Sequence, residues 1–421
     1  MKVEKQKIKN NHKKYEMLYK YAQLTNNLYN HTLFIVRQNY FKNKKEDGNR
    51  KYIDYNKMYH VMKNTDVENR VNLPADTGNL VIKQVHQNWS SYFASIKEFK
   101  KNPSKFKGLP KHPGYNKKSI NGGLYQVILP SPGLCRLKDD GYIHLSKKWF
   151  GDFKIKPYVM PLDAKLKQVR FNPNGDGFDV EIIYDDGKEY VDKDRKSNRI
   201  ASIDIGLNNL LTVTTNVGID PLIISGREIK SKNKYFNNKI AQLKSDLDNC
   251  QNKKGTISKQ QRVGTSKQIK KLWRKRHNIM ETFLHKASRA VVDYCVENDI
   301  DTLVVGHNKG QKQGSNLKNF VQIPVFSIIG KLEYKCQDAN IKFVTVEEPY
   351  TSGTSFMDDE LPVKENYDKE RRVERGLFKT NNGQLINSDV NGSLQIMKRA
   401  FPNVEFPSDK SFVFNPVTVK L

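Results

Sequence analysis

Apolar positions three and four residues apart predict two long helices in the N-terminal half of the chain. The first covers residues 12–42 and the second covers residues 79–99. Their apolar positions are Tyr15, Leu18, Tyr21, Leu24, Leu28, Leu33 and Val36 in the first helix and Leu80, Ile82, Val85, Trp89, Tyr92, Phe93 and Ile96 in the second. We interpret these aromatic side chains as a packed core rather than as surfaces for ligand stacking.

Between Tyr125 and Ile183 the pattern changes to short apolar runs interrupted by proline, glycine and aspartate. Such runs predict a β-rich unit. Asp-Asp-Gly sequences at 139–141 and 185–187 are typical of tight turns, and we expect both to close hairpins.

The C-terminal half alternates predicted strands with predicted helices. Two short buried strands at 200–204 and 211–215 are joined by a Gly-Leu-Asn-Asn turn. The pattern then predicts long helices over 227–289, a strand at 300–306, a helix at 324–336, a strand at 341–348 and a helix beginning near Asp389. This order implies a sheet flanked by helices, and the charged segment 191–199 is the expected domain boundary.

Charge adds a partner to this picture. The 421 residues are long enough for two or three domains, and 73 Lys and Arg residues against 45 Asp and Glu residues give a formal net charge of +28. A polyanion neutralises such a charge most naturally, which favours nucleic acid over an anionic membrane surface. No run of 18 apolar residues and no apolar signal core is present, so we expect a cytoplasmic protein.

Two segments concentrate the basic residues. The Lys-, Pro- and Gly-rich segment 100–118 interleaves Phe106, His112 and Tyr115 with lysines, which suits either base stacking or a solvated linker. Residues 227–289 hold eighteen Lys and Arg residues against four acidic ones, which favours a groove for a polyanion. The candidate nucleic-acid contacts are Lys105, Lys107, Lys111 and Tyr115 in the first segment and Arg274, Lys275 and Arg276 in the second.

Acidic residues stand where the predicted sheet would bring them together. Asp204 ends an apolar strand, Glu347 and Glu348 end another, and Asp389 lies near a helix start. Two Mg²⁺ ions about 4 Å apart need several hard oxygen ligands and support attack of water on a phosphodiester. Sugar kinases and actin-like ATPases use a similar Asp-Gly strand pair, Asp389 alone also fits a helix-terminal carboxylate, and the Asp-Asp-Glu sequence at 358–360 is a competing cluster.

Other chemistries have less support. No Gly-x-x-x-x-Gly-Lys-Ser/Thr loop or Gly-x-Gly-x-x-Gly turn follows a strand, so a phosphate cradle for nucleotide hydrolysis is missing. The four cysteines at 135, 250, 295 and 336 contain no Cys-x-x-Cys pair, which argues against a disulfide scaffold and a zinc ribbon. The histidines lack metal-ligand spacing, and among them only the Gly306-His-Asn308 sequence lies at a strand end.

Several sequence blocks occur in an order that carries a family resemblance. They are Trp89-Ser-Ser-Tyr-Phe, Lys105-Phe-Lys-Gly-Leu-Pro-Lys-His-Pro-Gly-Tyr115, Asp204-Ile-Gly-Leu-Asn-Asn-Leu, Phe320-Val-Gln-Ile-Pro324, Tyr334-Lys335, Glu348-Pro-Tyr-Thr-Ser352 and Asn387-Ser-Asp-Val-Asn-Gly392. Together they resemble the TnpB family, the OrfB proteins of insertion sequences and relatives of type V CRISPR effectors.

The resemblance implies a mixed α/β protein. Residues 1–195 would form a wedge β-barrel with an inserted helical recognition bundle, which binds guide RNA and target DNA. Residues 196–421 would form a RuvC-like nuclease domain of RNase H-like fold, with a basic helical insert at about 227–299. Its implied activity is Mg²⁺-dependent cleavage of double-stranded DNA beside a short motif, guided by a noncoding RNA from the end of the element. Two Mg²⁺ ions are expected, with Mn²⁺ as a substitute, and no membrane partner. The resemblance also implies a bacterial protein that is associated with the nucleoid when it is bound to DNA.

The chain departs from the usual family pattern at two places. The usual second carboxylate is a glutamate at the end of the strand that here ends in Gly306. A subgroup of the family carries a relocated glutamate before Tyr-Thr-Ser, and Glu348 fits that position, with Glu347 as the second choice. The usual Cys-x-x-Cys zinc ribbon is also missing, so the resemblance implies an insert at about 351–386 that folds without zinc.

Asp204, Glu348 and Asp389 are therefore the expected catalytic metal ligands. Gly306 keeps one alternative open, a nuclease-inactive RNA-guided repressor that binds DNA without cutting it. A transposase that itself transfers strands shares the metal chemistry but not the guide-binding resemblance.

Overall fold

The computed structural model describes residues 1–42, 52–65, 67–117, 122–175, 177–188, 198–253, 266–307, 324–374 and 376–421. The chain divides into two compact units. The first comprises Met1–Lys188 with Asn249–Lys271, and the second comprises Glu189–Asp248 with Leu272–Leu421. No helix among the described residues is both long enough and apolar enough to cross a membrane.

The β-rich part of the first unit consists of two antiparallel sheets. The larger sheet has the strand order β1-β7-β6-β2, and the smaller has the order β3-β4-β5. Their bounds are β1 Lys2–Lys9, β2 Val127–Pro130, β3 Cys135–Leu137, β4 Ile143–Leu145, β5 Lys154–Ile155, β6 Lys165–Pro173 and β7 Gly177–Asp185.

These sheets are open, so the predicted closed β-barrel is wrong. Within the described ranges β1 and β2 are the two edges of the larger sheet and do not pair. The apolar faces of both sheets share one core, which also takes in Leu18 and Ala22 from the first helix. The apolar positions are thereby buried without the sheet edges having to meet.

Helices lie between β1 and β2 along the chain, and they confirm the helical predictions. Their bounds are α1 Tyr15–Lys42, α2 Tyr55–Thr65, α3 Val67–Val71 and α4 Ala75–Lys101, and a short helix α5, Lys147–Phe150, follows β4. Trp89 is fully buried in the core between α1, α2 and α4, as its interpretation as a core residue requires. Helix α4 begins four residues earlier than predicted, directly after Pro74.

The second unit is built on a six-stranded sheet with the order β12-β11-β8-β9-β10-β15. Strands β8, β11 and β12 are parallel, whereas β9 is antiparallel to β8 and β10. The bounds are β8 Ile200–Asp204, β9 Asn209–Thr215, β10 Leu222–Ser225, β11 Thr302–Gly306, β12 Lys342–Val346 and β15 Val417–Val419. Its long helices are α8 Val325–Asp338, α9 Ser388–Ala400 and most of α6 Arg227–Lys253 and α7 Lys267–Glu297. Residues 249–253 of α6 and 267–271 of α7 belong to the first unit.

The segment after β12 has its own small core. A two-stranded sheet, β13 Leu377–Lys379 and β14 Leu385–Asn387, contributes Phe378 and Ile386, which pack with Phe356 and the apolar side of α9. Two mostly buried side chains reinforce it, because Arg371 Nη1 lies 2.9 and 2.7 Å from the two carboxylate oxygens of Glu360. The Asn391 side chain of α9 fixes the segment with two hydrogen bonds. It accepts one from the backbone N–H of Phe356 and donates one to the backbone carbonyl of Thr354.

The two predicted Asp-Asp-Gly hairpins have different outcomes. Residues 139–141 do connect the paired strands β3 and β4, and Gly141 has a φ of 74°. Residues 185–187 do not close a hairpin, because β7 pairs with β1 and β6 and the next strand, β8, belongs to another sheet.

Some predictions fall outside the described residues. These are most of the boundary segment 191–199, Asn308, and the Phe320 block up to residue 323.

All four cysteines are free thiols, three of them buried and Cys250 exposed, and burial raises the pKa of Cys135 and Cys336 to about 12.

Candidate metal centre and nucleic-acid interface

Asp204 stands at the carboxyl end of a strand that is otherwise buried. The core on the two faces of β8 contains Ile200, Ala201 and Ile203. Asp204, the last residue of β8, lies at the edge of the sheet and remains partly accessible to solvent. Burial raises the pKa of Asp204 well above its usual range, and the nearby carboxylates of Glu348 and Asp389 raise it further. Glu348 and Asp389 are thus both close enough to Asp204 to repel its negative charge.

Glu348 enters this group from the neighbouring parallel strands. Gly306 ends β11 opposite Val346 of β12, and Glu348 follows two residues later. A Cβ atom on residue 306 would collide with Glu348 Oε2 and with the Ile396 side chain, so glycine makes the space that the carboxylate fills. Burial raises the pKa of Glu348 to about 7, whereas Glu347 is exposed.

Asp389 is the second residue of α9 and is not its cap. The Asn387 side chain caps the helix by accepting from the backbone N–H groups of Asp389 and Val390, at 2.9 and 3.2 Å. Asp389 Oδ2 instead accepts a 2.8 Å hydrogen bond from the Nδ2 group of Asn209, the first residue of β9. The carboxylate therefore faces the turn that follows Asp204.

The acidic residues 358–360, the competing candidates for a metal site, are engaged in contacts with basic side chains and a backbone amide. Asp359 contacts Lys398 and Lys410, and Glu360 pairs with Arg371. Asp358 Oδ2 accepts from Asn381 N at 3.0 Å. These contacts neutralise the cluster locally.

Arg372 is a site residue that sequence reasoning missed. Its positive charge lowers the pKa of Asp204, against the raising effect of burial, and its Nη2 lies 3.3 Å from Ser388 Oγ. Arg372 lies in a charged stretch of the chain, where its residue type gives no signal that separates it from its neighbours.

The donor set fits a hard divalent cation. Carboxylate oxygens are the ligands that Mg²⁺ prefers, and a cation would relieve the repulsion that raises the pKa of Asp204. Across the ranges that the structure describes, no three acidic, histidine or cysteine side chains are gathered tightly enough to hold an ion as they stand.

The candidate nucleic-acid contacts of the first unit differ in availability. Lys107 and Lys111 are exposed, whereas Lys105 pairs with Glu98 at 2.7 Å. Tyr115 is 40% exposed, and the Arg37 guanidinium lies 5.0 Å from its ring centroid. Base stacking would require Phe106 and His112 to extend into solvent. They pack instead against aromatic side chains, Phe106 against Phe99 and His112 against Trp89 among others.

Helices α6 and α7 carry the basic residues of the second unit. Arg276 Nε donates to Asn233 Oδ1 at 3.0 Å and so joins the two helices. Lys275 is exposed, Arg274 is half-buried, and the neighbouring Trp273 is 42% exposed. Lys275 is therefore better placed than Arg276 to contact a ligand.

Comparison with known proteins shows which families the chain resembles. The OrfB_IS605 family, described as a probable transposase, matches residues 180–312, and the Cas12f1-like TNB domain matches residues 327–396. A TnpB-like protein, ORF457 of Acidianus two-tailed virus, is 24% identical over 421 aligned residues that cover 90% of this chain and 82% of that protein. The chain is thus similar to a TnpB-like protein over most of its length. The resemblance inferred from the sequence blocks is confirmed.

The TnpB-family matches contain all three carboxylates, since Asp204 lies in the first segment and Glu348 and Asp389 lie in the second. A Cas12f1 protein, solved in a complex with single guide RNA and target DNA, has a similar fold, with a TM-score of 0.53 and 16% identity. The similarity covers 90% of this chain and 82% of that one. Members of the TnpB and Cas12f group are RuvC-like nucleases.

Proposed function

We propose that this TnpB-family protein is an RNA-guided DNA endonuclease that hydrolyses phosphodiesters with two divalent metal ions. The observation that carries the proposal is the convergence of Asp204, Glu348 and Asp389 at one edge of the sheet. Because β8, β11 and β12 are parallel, their carboxyl ends share this edge, and side chains from separate parts of the chain meet there.

Each residue has a role that follows from its position. Asp204, Glu348 and Asp389 would hold Mg²⁺, with Mn²⁺ as a substitute; the bound ions supply an activated water and neutralise charge on the phosphate. The Asn209 amide orients the Asp389 carboxylate by donating to one of its oxygens. Arg372 adds a positive charge beside Asp204, where a phosphodiester would lie.

The proposed partners are a guide RNA and a double-stranded DNA target. A net charge of +28 and the exposed Lys107, Lys111 and Lys275 support binding of phosphate backbones. The Cas12f1 protein of similar fold was solved with the same two kinds of nucleic acid. We assign guide and target binding to residues 1–195 and cleavage to residues 196–421, with base pairing supplying most of the sequence specificity.

The inactive-repressor alternative is not favoured. It drew its support from the glycine at the end of β11, where the usual family member has a glutamate. The carboxylate of Glu348 occupies the space beside that glycine, which supports a retained second ligand.

Cleavage of a plasmid library by the protein with its copurified RNA tests the proposal. Wild type should cut with Mg²⁺ and should not cut with EDTA, and Asp204→Ala and Glu348→Ala should abolish cutting while RNA binding persists. Glu347→Ala is the matched control and should cut normally, because Glu347 is exposed. Binding of the target without cutting by wild type would refute the nuclease, and loss of cutting in Glu347→Ala alone would refute Glu348 as the ligand.

A further inference from the structure

Three fully buried hydroxyl groups lie directly behind the carboxylates. Ser202 is two residues before Asp204 on β8, and Thr214 is its register partner on β9. Ser393 is four residues after Asp389 on α9, on the same face of the helix. The three residues, which we call the hydroxyl triad, join the two strands and the helix that carry two of the proposed ligands.

The hydroxyl triad is fully hydrogen-bonded. Ser202 Oγ donates to Ser393 O at 2.6 Å, and Ser393 Oγ donates to Ser202 O at 2.9 Å. Thr214 Oγ1 lies 2.9 Å from both serine oxygens, so it donates to one of them. Every hydroxyl proton therefore has an acceptor, and the reciprocal serine bonds join strand to helix.

A glycine beside the hydroxyl triad sets how near the helix comes to the strand. A Cβ on Gly392 would lie 2.9 Å from Asp204 Oδ2, which is closer than real Cβ atoms approach other atoms. Ser393, the next residue, fixes α9 to β8 at this short distance. The serine hydrogen bonds and the absence of a Cβ at Gly392 therefore together determine how closely α9 packs against β8.

We propose that Ser202, Thr214 and Ser393 are positioning residues that set the spacing between Asp204 and Asp389 and so the affinity of the site for divalent cations. The inference rests on the proposed function, because it concerns the same carboxylates. Groups that orient metal ligands typically change metal affinity when they are removed, although they never touch the ion. Side chains of an ordinary sheet–helix interface are apolar, so three satisfied hydroxyls specify a register rather than add stability.

Mn²⁺ titration of the purified protein without DNA, followed by calorimetry, tests the proposal independently of cleavage. We expect Thr214→Val and Ser393→Ala to weaken Mn²⁺ binding by roughly 10-fold each. Thr214→Ser keeps the hydroxyl and should bind as wild type does. The double variant should lose less than the product of the two single losses, because both belong to one network.

A control separates positioning from general destabilisation. Thr32 is also fully buried and donates to Leu28 O at 2.7 Å, in the first unit, so Thr32→Val should leave Mn²⁺ affinity unchanged. Melting temperatures in EDTA identify any variant that does not fold, and Ser202→Ala then replaces it.

The two proposals fail in different ways. Unchanged Mn²⁺ affinity in Thr214→Val and Ser393→Ala, or equal losses in Thr214→Ser and Thr214→Val, overturns the positioning role alone. Wild type that binds Mn²⁺ through Asp204 but does not cut DNA overturns the nuclease alone. Wild type that shows no Asp204-dependent Mn²⁺ binding overturns both.

Discussion

At the scale of single residues, the surroundings of Asp204 disfavour the charged form of its carboxylate. Burial and two neighbouring carboxylates raise its pKa, and the charge of Arg372 and a backbone hydrogen bond from Ile205 oppose them without cancelling them. A group held in this way destabilises the metal-free fold and acquires a compensating partner only when a cation binds. The residue on which the proposed chemistry most depends is therefore expected to lower the stability of the metal-free protein.

Asp204→Asn should consequently stabilise the metal-free protein by about 1 kcal/mol while abolishing cleavage. The amide keeps the shape of the side chain and removes the charge. Urea unfolding in EDTA measures the gain. Asp246→Asn, at an exposed carboxylate of α6, should leave stability and cleavage as they are, and a destabilised Asp204→Asn variant would contradict the argument.

Gly306 is the second residue whose substitution is informative. Gly306→Ala should destabilise the fold by about 1–3 kcal/mol and reduce cleavage, because the methyl group collides with Glu348 and Ile396. Gly330→Ala is the matched control, because Gly330 is exposed on α8 and an added methyl group would meet nothing within 4 Å. Alanine there should stabilise the helix by about 0.5–1 kcal/mol. Urea unfolding and plasmid cleavage measure the two effects.

A paired exchange tests the same space more sharply. Gly306→Glu combined with Glu348→Gly moves the carboxylate back to the end of β11 and should restore part of the cleavage that each single change removes. Plasmid cleavage rates of the two single variants and the double variant measure this. A double variant no more active than either single one would show that the two positions are not interchangeable.

At the scale of elements, a buried carboxylate fixes a loop in the first unit. Glu4 of β1 is 7% exposed and accepts hydrogen bonds from the backbone N–H groups of Tyr158, Val159 and Met160, at 2.8, 2.9 and 3.0 Å. Burial alone would raise the pKa of Glu4, but these bonds and one from the Gln6 side chain together lower it. The charged form is thus the one that the fold binds.

This lowered pKa gives stability a pH dependence with a definite sign. The contribution of Glu4 is complete above the ordinary value of 4.5 and is lost as pH falls through the lower pKa of the folded state. Glu4→Gln should therefore cost about 1–2 kcal/mol near neutral pH and progressively less in acid. Unfolding free energies of both proteins between about pH 3 and pH 7 check this, with Glu333→Gln as an exposed control; a difference that grows in acid would contradict it.

The sequence predicted elements well where the signal is local. The periodicity of α1 and α4 and the apolar runs of β8, β9 and β11 depend on neighbouring residues, and these elements form as expected. Asp204 and Glu348 also lie close together, because parallel strands deliver their ends to one edge, and Asp389 approaches them from the start of α9. Closure of the barrel depends on whether β1 and β2 pair, and residue pattern does not specify the partner of an edge strand.

Contacts between distant residues were beyond sequence reasoning. Ser202 and Ser393 are 191 positions apart, and neither residue type predicts the other. Arg372 is one of several charged residues in its stretch and is singled out only by lying near Asp204. Such residues gain their role from the folded arrangement.

At the scale of the whole molecule, the charge of +28 would govern the proposed association with nucleic acid. Binding of the copurified RNA should weaken by roughly 10³–10⁵ between 50 and 200 mM salt if six to ten phosphates are contacted. Lys275→Ala should reduce the slope of log affinity against log salt by about 1. Filter binding across a salt series measures both values.

Arg276→Ala, at the position next to Lys275, is the matched comparison for Lys275→Ala. It should lower stability by about 1 kcal/mol through loss of the bond to Asn233, because that bond joins α6 to α7. Its effect on the salt slope should be smaller than that of Lys275→Ala. A larger effect would place Arg276 rather than Lys275 on the phosphate backbone.

The glycine that ends β11 also affects how relatives of this protein are sorted. An alignment judged column by column finds no acid at that position and would classify the chain as a broken enzyme. The space beside the glycine is filled by a carboxylate that follows the adjacent strand. Whether a relative can cut DNA therefore has to be judged from the side-chain atoms that reach this space, and not from the residue type in one alignment column. Surveys that count inactive homologues by missing acids will then overcount them wherever a neighbouring strand supplies the carboxylate.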